Sequence, residues 1–172
     1  MVSLKISGLD AAIKGIENKV KVTEQEIQNE LNAWALDTVN YAKQYSPVDE
    51  GHLRGAINHD SGKLKAGVTV AVDYAAYLEF GTRKFAASYV SSLPSDWQDF
   101  AAQFKGGGGD SFQVFVKRIT EWVARKGIDK KAAYPIALKI IREGIKAHPY
   151  LYPATQKTTP ELIKNIKELL SK

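Results

Sequence analysis

The sequence predicts an α+β fold: a small, mostly antiparallel sheet packed with a long N-terminal helix and a C-terminal helix, with a helical insertion at about 83–145. Three observations predict it. Ile27, Leu31, Trp34, Thr38, Ala42 and Tyr45 recur on one helical face. Val68, Val70 and Val72 alternate with Thr69 and Ala71, the period of a strand. Leu162, Ile163, Ile166, Leu169 and Leu170 form the apolar stripe of a last helix. At 172 residues the chain fits one domain over 1–172 that carries an insertion.

The elements follow in order. Leu9, Ala12, Ile13 and Ile16 predict a short helix over 8–20. Thr23 and Glu26 make a capping box, with Val22 and Ile27 as its staple, and open a helix over about 24–45 that Pro47 stops. A turn of helix is expected around Gly51–Arg54, then an extended piece through Ile57. Ser61–Gly67 reads as a polar turn, 68–72 as a strand, and Tyr74–Phe80 as a short helix closed by Gly81. Residues 82–111 read as looser chain, with a turn over Ser91–Asp96 at Pro94 that leads into a short segment ending near Phe104, and four glycines at 106–109. Phe112, Phe115, Val116, Ile119, Trp122 and Val123 trace a helix ending at Gly127. Asp129 can cap a further helix to Arg142, closed by Gly144 and started or kinked by Pro135. His148–Pro153 reads as extended or turning, and the last helix is expected to start with Thr159 as N-cap and Pro160 at its first position.

Composition removes several function classes. There is no Cys, which excludes disulfides, thiolate zinc sites and Cys nucleophiles. No run of 18 apolar residues exists, and Met1–Asp10 lacks the apolar core of a secretory signal, so no membrane partner is expected and synthesis is expected in a cytoplasm. The glycine run lacks the Lys and hydroxyl of a phosphate loop, and Asp110 would repel a phosphate. Asp49, Glu50, His52, His59 and Asp60 lie close in sequence but without zinc-ligand spacing. There is no Gly-x-Ser-x-Gly elbow and no assignable carboxylate pair, so no catalytic, cofactor or metal residue is named and no enzyme activity is expected.

Charge is the remaining compositional signal. The net charge is +5, but residues 1–60 hold six basic and nine acidic side chains whereas residues 111–172 hold thirteen and five. Such asymmetry suits a nucleic-acid surface, through Lys117, Arg118, Arg125, Lys126, Lys130, Lys131, Lys139, Arg142 and Lys146. It equally suits a subunit whose acidic side meets a neighbour's basic side.

Three separated segments carry a resemblance. Ser46-Pro47-Val48-Asp49-Glu50-Gly51-His52-Leu53-Arg54-Gly55-Ala56-Ile57 resembles a SPVDTG-x-LR-x-SI signature. Tyr74-Ala75-Ala76-Tyr77-Leu78-Glu79-Phe80-Gly81-Thr82 resembles YA-x-Y-V/L-EFGT, and His148-Pro149-Tyr150-Leu151-Tyr152-Pro153-Ala154 resembles xPFLxPA. In this order they are similar to the bacteriophage tail-component family typified by gene product ten of phage HK97. Trp122–Ile128 and Ile140–Ala147 also look like the insertion that many members carry. Glu50, Ala56 and Tyr150 stand where the signatures have Thr, Ser and Phe; without the Thr hydroxyl, Asp49 is left to accept the local backbone donors.

The resemblance implies a neck or tail-completion protein of the virion. It implies a homo-oligomeric ring, a hexamer, between the head connector or stopper and the tail-tube proteins, with genome DNA passing through the lumen without specific binding. The motif residues that carry over are Pro47, Asp49, Gly51, Leu53, Arg54, Tyr74, Glu79, Phe80, Gly81, Thr82, Pro149 and Pro153. Read physically, Gly51 permits a positive φ, Leu53 and Ile57 enter a core, and Tyr74, Tyr77, Leu78 and Phe80 supply apolar area. Glu79, amid aromatics, is expected to pair with Arg54 or Arg83. Candidate subunit contacts are Arg83, Lys84, Lys130, Lys131, Lys139 and Arg142, together with the loops 61–67 and 105–110. The alternative is a DNA-binding accessory protein that uses the basic 117–146 segment.

Overall fold

The computed structural model describes residues 2–3, 24–48, 50–104 and 111–171. The predicted 8–20 helix, Thr23 of the capping box, Asp49 and the 105–110 loop lie outside the described residues. The chain divides into two compact units: residues 1–75 with 148–172, and residues 76–147.

The first unit is built on helix α1 (Glu24–Tyr45), whose acidic residues Glu24 and Glu26 sit in its first turn, where the helix dipole favours them. Its buried face is Leu31, Trp34, Ala35, Thr38, Val39 and Ala42, spaced at three and four residues as the sequence predicts. A short strand β1 (Val2–Ser3) comes before it. A five-residue helix α2 (His52–Ala56) leads into β2 (Ile57–Gly62) and β3 (Lys65–Val70). The sheet order is β1-β3-β2, antiparallel throughout, with register Ile57↔Val70 to Gly62↔Lys65.

This register corrects the expectation of a polar loop over 61–67. Ser61 and Gly62 end β2, Lys65–Gly67 begin β3, and only Lys63 and Leu64 form the turn. Ile57 starts a strand rather than ending an extended piece, and β3 stops at Val70 rather than Val72. The alternation that located the strand covers only its buried end, Val68 and Val70; Lys65, Ala66 and Gly67 carry no such pattern.

Helix α8 (Leu151–Leu170) closes the first unit against α1. It starts eight residues before the predicted Thr159 cap and contains Pro153 and Pro160. Pro153 is the third residue, where the amide has no partner within the helix and its loss is free. Pro160 lies in the interior and removes one backbone bond. Packing outweighs that loss, because Leu151, Ala154, Thr155, Thr158, Leu162 and Ile166 are buried on both sides of it. Leu162 and Ile166 join Leu31, Trp34 and Ala35 in one core, with Ile27, Ala66 and Leu170 packed around it. The hydroxyls of Thr38 and Thr158 meet at 2.7 Å between the two helices, both buried.

The second unit is helical. Helix α3 (Ala75–Phe80) leads into it. Then come α4 (Arg83–Val90), α5 (Ser95–Ala102), α6 (Phe112–Arg125), a 3-10 turn (Lys130–Ala132) and α7 (Ala133–Glu143). Helix α4 replaces the looser chain expected over 83–90, and α5 is the short segment expected after the Pro94 turn, ending at Ala102. Each is only eight residues long, too short for its apolar spacing to stand out. Trp97 and Phe100 of α5 gather with Phe80 and Phe104 at ring-centroid distances of 5.2–6.3 Å, an aromatic core of edge-on and stacked pairs. Pro135 sits at the third residue of α7 and neither starts nor breaks it, for the same reason as Pro153. Asp129 caps the 3-10 turn instead, its carboxylate accepting from the Lys131 amide at 2.9 Å.

Candidate assembly surface

The first motif turns the chain from α1 into the sheet. The Ser46 amide donates to Ala42 and its hydroxyl to the Lys43 carbonyl, both at 2.9 Å, and this closes the helix before Pro47. Gly51, with φ +79, sits ahead of α2 in the left-handed region that favours glycine. Leu53 and Ile57 are buried, whereas Pro47 and Arg54 face solvent.

The second motif splits. Phe80 and Glu79 are buried, but Tyr74 and Tyr77 are exposed and Leu78 is half-buried. Ala75 and Ala76 are buried in their place, because in so short a helix the inward side falls at 75, 76, 79 and 80. The expectation of four large apolar anchors therefore reduces to one.

Gly81 and Thr82 do what spacing does not reveal. The Thr82 amide donates to the Ile145 carbonyl at 2.9 Å, and the Ile145 amide donates to Thr82 Oγ1 at 2.8 Å. The hydroxyl is thereby occupied and makes no cap bond at the start of α4. Glycines flank both sides of this clasp. A Cβ on Gly81 (φ +73) would lie 2.7 Å from the Ile145 carbonyl oxygen, and one on Gly144 (φ +91) would overlap the Thr82 carbonyl oxygen. The two ends of the 82–145 excursion thus meet in a close backbone crossing. Arg83 follows with φ +53, a strained value for a residue with a side chain.

In the third motif Tyr150 and Leu151 are buried and Pro149 and Pro153 half-buried at the start of α8. Their placement in the first unit is structural.

All six candidate contact cations, Arg83, Lys84, Lys130, Lys131, Lys139 and Arg142, are exposed side chains of the second unit. Lys84 is already engaged. Its ammonium lies 3.1 Å from Glu143 and 5.2 Å from the Phe85 ring centre, with Lys146 also over that ring at 5.9 Å. The Lys84 hydrogen bond and charge, helped by Lys139, hold the Glu143 carboxyl below the ordinary carboxylate range. Lys130 and Lys131 lie in the 3-10 turn, Lys139 and Arg142 on α7.

Large apolar side chains share this surface, a feature that the charge count hid. Phe112, Val114, Ile128, Tyr134 and Ile141 are all exposed, and the Phe112 and Tyr134 rings meet edge-on at 5.8 Å. Among the described residues no group of three or more His, Asp and Glu could hold a metal, and no helix is long and apolar enough to cross a membrane. His52 and Glu50 pair at 3.4 Å on the surface.

Residues 10–81 match the model of a family described as "Bacteriophage HK97-gp10, putative tail-component". The span is less than half of the chain; it includes the first motif and the second up to Gly81, and leaves 82–172 outside. No curated protein and no solved structure matches the chain.

Proposed function

We propose that this chain, which carries the phage tail-component signature over residues 10–81, is a structural virion protein of the head–tail junction. In this reading it is a neck, tail-completion or tail-terminator subunit that joins tail to head, assembled in the host cytoplasm and performing no catalysis. The family match is the observation that carries the reading.

The subunit would close into a ring, with a hexamer as the expected number. Its copies would meet through heterologous contacts, one face of each against a different face of the next. The exposed side chains of the second unit supply one such face, since apolar anchors among charged groups are what a subunit contact needs. The head connector or stopper would lie on one side and the tail tube on the other, with DNA passing through the lumen.

A second reading, a DNA-binding accessory protein using 117–146, is favoured by the exposed Lys117, Lys130, Lys131, Lys139 and Arg142. It accounts less well for the exposed Ile128, Tyr134 and Ile141 on the same stretch. Electron microscopy of the purified protein and immunolabelling of whole virions test the first reading. Ring particles and label at the portal end are expected; label elsewhere on the particle would refute it. Duplex-DNA retardation that falls steeply with salt would favour the second reading.

A further inference from the structure

Two helix faces remain whose chemistry is reciprocal. The first is on α7. Ala133 and Ala137 bury its inner side, yet Tyr134, Leu138 and Ile141 form a second apolar row, with Tyr134 54% exposed, Ile141 37% exposed and Leu138 half-buried. Exposed cations stand at both ends of that row, Lys130 and Lys131 before it and Arg142 after it. The second face is on α1. Glu26, Asn29, Ala33, Leu36, Asp37, Asn40 and Gln44 recur at three- and four-residue steps and all are exposed. Leu36 is 46% exposed at its middle, two acids flank it, and the stripe holds no cation.

We propose that the Tyr134/Leu138/Ile141 face of α7 is the seat for the outer face of α1 from a second copy of this chain. The proposal rests on the ring-subunit reading and names the two faces that meet in it. Charge complementarity selects this occupant, as the apolar row is bounded by cations and the α1 stripe carries only acids. Spacing supports it. Glu26 and Asp37 are about 17 Å apart along α1 at 1.5 Å per residue. Lys131 and Arg142 are also about 17 Å apart along the 3-10 turn and α7. Antiparallel docking brings Asp37 to Lys131 and Glu26 to Arg142 together, and sets Leu36 on the Tyr134 ring. Small Ala33 lets the helices approach. The row's exposed apolar side chains favour a protein over a nucleic-acid backbone at this face. The contact is heterologous, so each copy offers one face forward and one back.

The absence of cysteine makes a direct test possible. Full-length Ala33→Cys and Leu138→Cys chains are mixed, oxidised with copper phenanthroline and run without reductant. A disulfide-linked heterodimer is expected in the mixture, whereas Ala33→Cys mixed with Lys117→Cys, on the solvent side of α6, stays unlinked. Light scattering on the full chain supplies the second arm. Asp37→Lys is expected to weaken assembly about tenfold or more, and Asp37→Lys with Lys131→Glu to restore it. Wild-type assembly without the cross-link, or without rescue, overturns this interface and leaves the ring reading standing. A wild-type chain that stays monomeric at all concentrations overturns both.

Discussion

Replacing Gly144 by Ala should cost the second unit about 4 kcal/mol. The backbone there has φ +91 and ψ −175, a region open essentially to glycine alone, so a side chain brings roughly 2 kcal/mol of strain. The new methyl would overlap the Thr82 carbonyl oxygen and press on Thr82 Oγ1 at 2.9 Å. Thr82 must then move, and its two bonds to Ile145, each worth about 1 kcal/mol, are lost. Gly127→Ala is the control. Its φ is +69 but its Cβ meets nothing within 4 Å, so it should cost only about 1 kcal/mol of strain. Urea unfolding followed by Trp97 fluorescence in a Trp34→Phe/Trp122→Phe background reports on the second unit. Equal costs for the two alanines would refute the clasp; a difference of about 3 kcal/mol would establish it.

Three further outcomes are expected. The two buried hydroxyls of Thr38 and Thr158 have two protons for three close contacts, Thr38 to Trp34 O, Thr158 to Ala154 O and each other, so one contact is not a hydrogen bond at any instant. Thr38→Val and Thr158→Val should each cost about 1 kcal/mol, since each removes one proton and leaves the other hydroxyl its own helix carbonyl, and the double variant about the sum; a double variant no worse than either single one in urea titrations would count against this. Arg83→Gly should exceed Arg83→Ala in stability by about 1 kcal/mol, since only glycine relieves the φ of +53; equal melting temperatures would contradict this. Glu143 is held below its ordinary pKa by Lys84, so its contribution is present above the unfolded carboxylate range and is lost as pH falls through the lower folded value. Lys84→Met should therefore flatten the acid limb of a stability–pH curve, and an unchanged limb would show the pair to be inert.

The parts of this fold that were readable are those with long, regular patterns. Helix α1 matches its predicted bounds because six positions of one face, five of them apolar, recur through its 22 residues and leave one period open. Helix α8 was half legible: its second half carries the stripe, but Pro160 argued for a start where packing of Thr155, Thr158 and Leu162 carries the helix through. The short α4 left no such trace, and α5 showed only as a segment after the Pro94 turn. For the assembly surface, the cations were visible as composition, whereas the exposed apolar row was not, because Tyr134 and Ile141 have the period of any core face. The role of Thr82 depends on a partner 63 residues away, a separation at which one chain offers no local pattern.

The clasp at Thr82 and Ile145 also bears on how such a chain can diversify. An excursion that returns to its point of departure leaves the through-route of the polypeptide unchanged, whatever length it takes. Lengthening it adds only a slowly growing closure entropy, about 0.6 kcal/mol per doubling. The core of Leu31, Trp34, Ala35, Leu162 and Ile166 draws on no residue between 83 and 144. Different helices could be grafted at that junction, so one scaffold could present dissimilar outer surfaces to dissimilar neighbours.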